Sequence, residues 1–259
     1  MISMFYGALA VCVAMALAVV GLDLVQRFVP SMQRQELNDV AGFIYAVLGV
    51  VYAVLLALVV IAAWDNHRTA KETTETEANA LAEIFWLAHA LPETEGPQIQ
   101  DLARSYARTV VDEEWALMEQ GRADPRAWEL LDEIRGNLQG WKPTTEDELV
   151  LYSQGLDRVH DLADARRMRL VEAEERIPAI LWTLVLFGGI VTVSFAYLFG
   201  LESARAHKVM VMALAGVIGL VIFTIATLET PFSGHARLRP DAFELILDRF
   251  ETSELSTLR

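Results

Sequence analysis

The chain has 259 residues, of which 54% are hydrophobic, and it carries a formal net charge of -14. Its mean hydropathy of +0.32 exceeds the values near or below zero that are usual for soluble domains of this length, because much of their surface must be polar. High hydropathy and strong charge are compatible only if apolar and charged residues occupy separate segments. The single cysteine, Cys12, excludes disulfide bonds within the chain and multi-cysteine metal sites. The acidic balance disfavours nucleic-acid binding.

Four segments without a charged residue are long enough to cross a membrane, which takes roughly 20 apolar residues. They are residues 2–22, 40–64, about 177–201 and 209–228. Ala16-Leu17-Ala18 also resembles a signal-peptidase site, but the basic segment that precedes such a site is missing. We therefore expect the first segment to be retained as a membrane helix.

Four crossings place both termini and the long segment 65–177 on one side of the membrane. Eight Lys and Arg residues lie near the helix ends on that side and four on the other, so the positive-inside rule predicts that 65–177 is cytoplasmic. This segment contains 25 acidic and 13 basic residues, a net charge of -12. We expect four regions: 1–64 with the first two spans, the cytoplasmic domain 65–177, 178–228 with the last two spans, and a cytoplasmic C-terminal segment 229–259.

Helical periodicity runs through the cytoplasmic segment. The second membrane helix is predicted to continue to about Ala90, where Leu91-Pro92 ends it. Asp124-Pro125 indicates a capped helix start, and Thr145 to Glu148 has capping-box spacing. We expect the helix that starts at Thr145 to run into the third membrane helix. Between Pro92 and Asp124, a further helix is predicted from its spaced apolar residues, Leu102, Tyr106, Val110 and Leu117.

Small residues recur along one face of the second span: Gly42, Ala46, Gly49, Ala53 and Ala57. Because lipid gives helices no hydrophobic reason to associate, close packing over small residues must hold them together. Such a stripe can pack within one subunit or around an axis shared by several. An uncharged pore would need a ring of subunits. Its predicted lining on the second span is Tyr45, Gly49, Tyr52 and Leu56.

Sequence signatures of catalysis are missing: the chain has no phosphate-binding loop, no nucleophile elbow and no zinc-protease motif. We therefore expect no enzyme activity, no metal and no cofactor. The carboxylates of Asp112, Glu113 and Glu114 could bind a cation, but a solvated helix face is the preferred interpretation.

A polar motif follows the fourth span, and its functional candidates are Glu229, Pro231, Phe232 and Gly234. Glu229 lies at a helix carboxyl end, where a negative charge opposes the helix dipole and needs a partner. Arg237 or Arg239 could supply it. A capped helix end followed by a tight turn explains the same residues without a function.

Several short motifs occur in order along nearly the whole chain. They are Trp64 followed by Glu77-Ala78, Phe85 to Pro92, Glu114-Trp115-x-x-Met118-x-x-Gly121, Ile177-Pro178 before Leu181-Trp182, and Glu229-x-Pro231-Phe232-x-Gly234. Together they resemble the bestrophin-like family of bacterial membrane proteins of unknown function.

The resemblance extends more distantly to true bestrophins, which are pentameric anion channels with four membrane helices per subunit. Their acidic-x-Pro-Phe-Gly motif is similar to 229–234, although Ser233 is inserted here before the glycine. No apolar-aromatic neck motif is recognisable on the second span, so pore residues are not transferred. The resemblance implies an all-α integral membrane protein of the bacterial inner membrane, a pentamer in the lipid bilayer, with inorganic ions as its ligands.

Two functions remain open from the sequence. The leading hypothesis is a homo-oligomeric ion channel in which the second helix lies nearest the axis. The alternative is a membrane-bound scaffold or sensor whose acidic helical domain binds a protein partner.

Overall fold

The computed structural model describes residues 2–29, 35, 38–234 and 236–257, and these ranges contain helices and turns but no β-strand. The helices are α1 (Ile2–Phe28), α2 (Asn38–Leu87), α3 (Gly96–Thr109), α4 (Trp115–Met118), α5 (Pro125–Gly140), α6 (Glu146–Glu174), α7 (Ala179–Ala196), α8 (Ala204–Leu228) and α9 (Asp241–Thr257). A 3₁₀ turn, Ala88–Ala90, follows α2, and a π-helical turn, Val110–Glu114, joins α3 to α4.

Four helical segments are long and apolar enough to cross a membrane. They lie in α1, the first half of α2, α7 and α8, and therefore match the four predicted spans. The predicted continuation of the second span is also confirmed, because α2 and its 3₁₀ turn end at Ala90 and Leu91 is extended.

The expected continuity between the 145 helix and the third span is wrong. The first helix ends at Glu174, and α7 begins only at Ala179. Pro178 causes the interruption, because proline has no N–H and disfavours a helical conformation in the residue before it, here Ile177. Pro178 itself has a φ of -53° and a ψ of 136°, which is not helical, and forms the N-cap of α7. This helix also ends at Ala196, earlier than the predicted limit near 201.

The chain divides into two compact units. The membrane unit comprises Met1–Asp65 and Arg176–Glu229. In this unit α1 packs along α8 over small residues: Gly219 lies against Val11, and Gly216 against Met15. Glycines at these positions allow the two backbones to approach closely, which is how membrane helices gain packing energy.

The polar unit comprises Asn66–Glu175 and Thr230–Arg259. Its core contains aromatic residues of several helices, and Phe85 of α2 stacks on Phe250 of α9 with ring centroids 3.8 Å apart. Both predicted helix starts are confirmed. The Asp124 side chain accepts a hydrogen bond from the backbone N–H of Arg126, and Thr145 forms a complete capping box with Glu148.

The π-helical turn changes which side of the helix is buried after Val110. The predicted apolar face continues to Leu117, but the buried residues are Glu114, which ends the turn, and Trp115 and Met118, which follow it. A π turn adds one residue to a helical turn, which rotates every following side chain around the helix axis. The turn therefore brings Glu114 into the core of the polar unit.

Candidate pore helix and buried ion-pair network

One side of the membrane-spanning part of α2 packs against α7 through Tyr52. The Tyr52 side chain is buried, and its hydroxyl donates a hydrogen bond to the backbone oxygen of Val185 at 3.0 Å. Its ring lies over Gly188 and Gly189, where an added Cβ would come within 2.6 Å of a ring carbon at Gly188 and 2.9 Å of the hydroxyl oxygen at Gly189. The two glycines therefore form the recess that the tyrosine occupies.

Two other predicted lining residues also face their own chain. Tyr45 stacks on Phe195 and meets Phe199 edge to face, with ring centroids 5.9 and 5.4 Å away. Leu56 is half-buried and packs against the apolar cluster around Val59. Gly49 differs, because no other part of the described chain lies within 4 Å of a Cβ placed on it.

The opposite face of α2 has no partner within the described chain. Ala46, Ala53 and Ala57 from the small-residue stripe are exposed, and so are large apolar residues such as Val50 and Val54. No charged residue lies between Asp39 and Asp65. This uncharged surface, which we call the open face of α2, extends along the whole span.

Glu229, at the end of α8, binds the short non-helical segment that precedes α7 and the first turn of α7 itself. One of its carboxylate oxygens accepts hydrogen bonds from the Ile177 backbone N–H at 3.1 Å and the Trp182 indole N–H at 3.0 Å. The partners differ from the arginines expected from the sequence, because Arg237 pairs with Glu119 and Arg239 with Asp241. Glu229 thus satisfies a backbone donor that Pro178 leaves outside the helix.

The remaining motif residues form a turn in the polar unit. Phe232 is buried and packs edge to face on Trp115, with ring centroids 5.5 Å apart. Pro231 accepts a backbone hydrogen bond from Leu238 at 2.7 Å. Gly234 has a φ of 80°, a conformation that glycine adopts without strain, which explains the glycine of the motif.

A network of fully buried charges lies in the core of the polar unit. Glu114 forms a two-pronged ion pair with Arg166, with N–O distances of 2.6 and 2.8 Å. The same carboxylate accepts a hydrogen bond from Arg169 at 2.7 Å and another from the Asp124 backbone N–H at 3.0 Å.

Glu77 on α2 completes the network. Arg169 donates to both of its carboxylate oxygens, at 2.5 and 3.0 Å. The Tyr106 hydroxyl donates to Glu77 at 2.6 Å. All four charged side chains have no exposed surface. Two carboxylates and two guanidinium groups therefore balance each other while joining α2, α3, the π turn and α6.

The ionisation of the network follows from these contacts. Burial alone would raise the pKa of Glu114, but the hydrogen bond from Arg166 and the charges of Arg169 and Arg166 lower it to about 2. Burial and the charge of Glu77 raise the pKa of Tyr106, which keeps its hydroxyl protonated as a donor. Glu114 is therefore held in its charged form by its two arginine partners.

The interpretation of Glu114 as part of a solvated face is therefore wrong, although Asp112 and Glu113 are exposed as expected. Arg166 and Arg169 are two of the eight basic residues on which the positive-inside prediction rests, yet they lie in this core. Arg166 and Arg169 lie three residues apart and therefore on the same face of α6. This spacing is the local sequence signal that the two arginines act together. Their partners lie 52 and 92 residues away, and local pattern does not identify them.

Comparison with known proteins gives the family. A sequence model described as the Bestrophin-like domain matches residues 12–243. No functionally curated protein shows significant sequence similarity to the chain.

Solved structures show the same fold. A bacterial bestrophin homologue from Klebsiella pneumoniae has 15% identity and a TM-score of 0.67 over 92% of this chain and 96% of its own. A point variant of such a homologue from the same organism gives a TM-score of 0.68 at 15% identity, over 93% and 97% of the two chains. A variant described only as a membrane protein gives 0.67 at 14% identity, over 93% and 96%. Because the family model covers most of the sequence and the fold agrees over most of both chains, this all-helical membrane protein belongs to the bestrophin-like family.

Proposed function

We propose that the protein is a homo-oligomeric ion channel in which several copies surround a central axis and α2 lies nearest to it. Five copies are proposed by resemblance to bestrophins. The proposal places the assembly in the bacterial inner membrane, with the polar unit and both termini in the cytoplasm, as the positive-inside rule predicts.

The open face of α2 carries the proposal. Small residues at Ala46, Gly49, Ala53 and Ala57 would let helices of neighbouring subunits approach one another around the axis. The absence of charge over the span suits a passive pore whose apolar constriction controls wetting. Of the predicted lining residues, we retain Gly49.

Tyr45, Tyr52 and Leu56 receive a packing role in this proposal, because their side chains contact their own chain. In this proposal the pore is lined by the exposed alanines of α2, which are Ala46, Ala53 and Ala57.

The experiment measures the accessibility of single cysteines to a thiol reagent and the flux of ions through the reconstituted protein. Cys12 is replaced by serine, and single cysteines are introduced as Ala53→Cys on α2 and Val13→Cys on α1; both positions are exposed in the single chain. The proteins are reconstituted in liposomes and treated with a charged, membrane-impermeant thiol reagent. We expect modification and loss of ion flux for Ala53→Cys, and neither for Val13→Cys, which would face lipid.

The mass of the purified complex tests the assembly. A particle of several 28.8 kDa chains is expected, and a strict monomer would refute the channel. A ring without flux and without a reactive cysteine at Ala53 would favour the alternative, a membrane scaffold whose acidic helical domain binds a protein partner.

A further inference from the structure

A groove in the membrane unit is lined by α1, α7 and α8 and has a volume of about 290 Å³. Its floor consists of Ala215 and Ile218 of α8, which are buried, and its rim includes Leu17 of α1 and Ile190 of α7, which are exposed. The groove therefore opens at the outer surface of the helices.

The groove is apolar except at one end. Among the described residues no charged side chain lines it, and its polar side chains are Ser194 and Tyr197 near the end of α7. Tyrosines in membrane proteins favour the boundary between hydrocarbon and headgroups. The polar end of the groove is therefore the end nearest the membrane surface.

The length of the groove matches one leaflet of a bilayer. It follows α7 from Leu186 to Tyr197, a distance of roughly 16 Å at about 1.5 Å per helical residue. The hydrocarbon core of a bilayer is about 30 Å thick, so one leaflet contributes about half of that.

The size and chemistry of the groove select its occupant. A volume of about 290 Å³ is small compared with a whole helix, which is about 10 Å across with its side chains. Water needs several polar partners at each site, and the lining offers two hydroxyls at one end. An empty groove would deprive its lining of dispersion contacts. A flexible hydrocarbon chain is narrow, needs no polar partner and makes dispersion contacts with the apolar lining, so it fits the groove on all three counts.

We propose that this groove binds one acyl chain of a bilayer lipid, in the leaflet at which α7 ends. The chain lies along α7 between the rims formed by α1 and α7, with its headgroup end near Tyr197. The site does not depend on ion conduction, so its test is separate from that of the channel.

Photo-crosslinking tests the site in the full-length protein. Vesicles of phosphatidylethanolamine and phosphatidylglycerol carry a trace of phospholipid with a diazirine on its acyl chain, and adducts are mapped by peptide mass spectrometry. We expect adducts within 186–197 to exceed those on exposed residues elsewhere on α1 several-fold. Ala14→Phe should fill the groove and remove most of them, whereas Ala16→Phe, on the same helix but outside the lining, should not.

A second variant guards against misfolding. Ser194→Phe enters the groove from the opposite wall at an exposed position and should reproduce the loss if Ala14→Phe does not fold. Equal labelling in the Ala14→Phe and Ala16→Phe proteins would overturn the proposal. So would the lack of adducts within 186–197 of the unmodified protein, which is the result expected if a second copy of the chain covers the groove.

Discussion

Glu114 shows how a single residue depends on distant partners. An isolated buried carboxylate would be strongly destabilising, but this one has Arg166, Arg169 and a backbone N–H within hydrogen-bonding distance. Buried ion pairs add little net stability compared with an apolar core, yet removal of one partner leaves an uncompensated charge. The network therefore specifies how the helices of the polar unit fit together.

Removal of one charge from the network should destabilise the protein more than removal of a balanced pair. We expect Arg169→Met to lower the free energy of unfolding by about 3–5 kcal/mol, because Glu77 loses its closest ion-pair partner and keeps only Arg166, 3.9 Å away. The double variant Glu77→Met/Arg169→Met should recover part of that loss, since Glu114 and Arg166 still pair. The measurement is thermal or denaturant unfolding of the full chain in detergent.

The exposed pair of Arg158 and Asp161 provides the control. Arg158→Met should change stability by less than about 1 kcal/mol, because surface ion pairs contribute little. A double variant no more stable than Arg169→Met would contradict the compensation that the network implies.

The low pKa of Glu114 predicts a pH dependence. The pKa falls from an ordinary value of 4.5 to about 2 on folding, so ionised Glu114 stabilises the folded state fully above pH 4.5. This stabilisation should disappear as the pH drops from about 4.5 to 2. The difference in unfolding temperature between the native protein and Glu114→Gln, measured across this window, isolates the contribution from other carboxylates. A constant difference would show that Glu114 is not responsible.

At the scale of the helix, α2 has two faces with different tasks. The face with Tyr52 packs on α7 inside the chain, while the open face, with Ala53, has no partner within the described chain. Small residues occur both at the contact between α2 and α7 and on the open face of α2, but they have different roles. Gly188 on α7 makes room for a ring, whereas Gly49 on α2 faces open space.

Alanine substitutions at these two glycines should separate packing from assembly. Gly188→Ala places a Cβ 2.6 Å from the Tyr52 ring, so we expect a loss of about 1–3 kcal/mol and a lower unfolding temperature. The Cβ of Gly49→Ala meets no neighbour among the described residues, so the substitution should leave the unfolding temperature unchanged or raise it. If Gly49 packs around an axis, its substitution should instead reduce the oligomeric fraction measured by particle mass. Equal unfolding temperatures for the two variants would refute this assignment of faces.

At the scale of the whole molecule, the distribution of charge bears on which ions the proposed channel would conduct. Residues 65–177 carry a net charge of -12 per chain, and the exposed carboxylates of α2 in the polar unit are Glu72, Glu75 and Glu83. In the proposed ring, a vestibule lined by these carboxylates would concentrate cations and repel anions. A ring of subunits would multiply the effect.

We therefore expect the proposed channel to prefer cations, more strongly at low salt than at high salt. Screening lengths fall from about 10 Å at 0.1 M to about 3 Å at 1 M, so the preference should weaken over that range. The measurement is the reversal potential of reconstituted protein under a potassium chloride gradient at both concentrations.

Charge-neutralising variants identify which carboxylates matter. Changing Glu72, Glu75 and Glu83 together to glutamine should reduce the cation preference. The same loss of charge on another exposed helix face, by amide substitution of Glu129, Asp132 and Glu133 on α5, should have a smaller effect. Chloride preference in the native protein would contradict the prediction.

The amino-acid sequence by itself determined the features that depend on near neighbours. The four spans follow from uninterrupted apolar runs, and the starts of α5 and α6 follow from side chains that bond within their own first turn. Tertiary structure decided the rest, because contacts between residues far apart in the chain leave no local pattern. Ile177 and Trp182 donate hydrogen bonds to Glu229 across the fold. The π turn buries Glu114 among distant arginines. Tyr52 packs against α7, whereas the next residue, Ala53, is exposed.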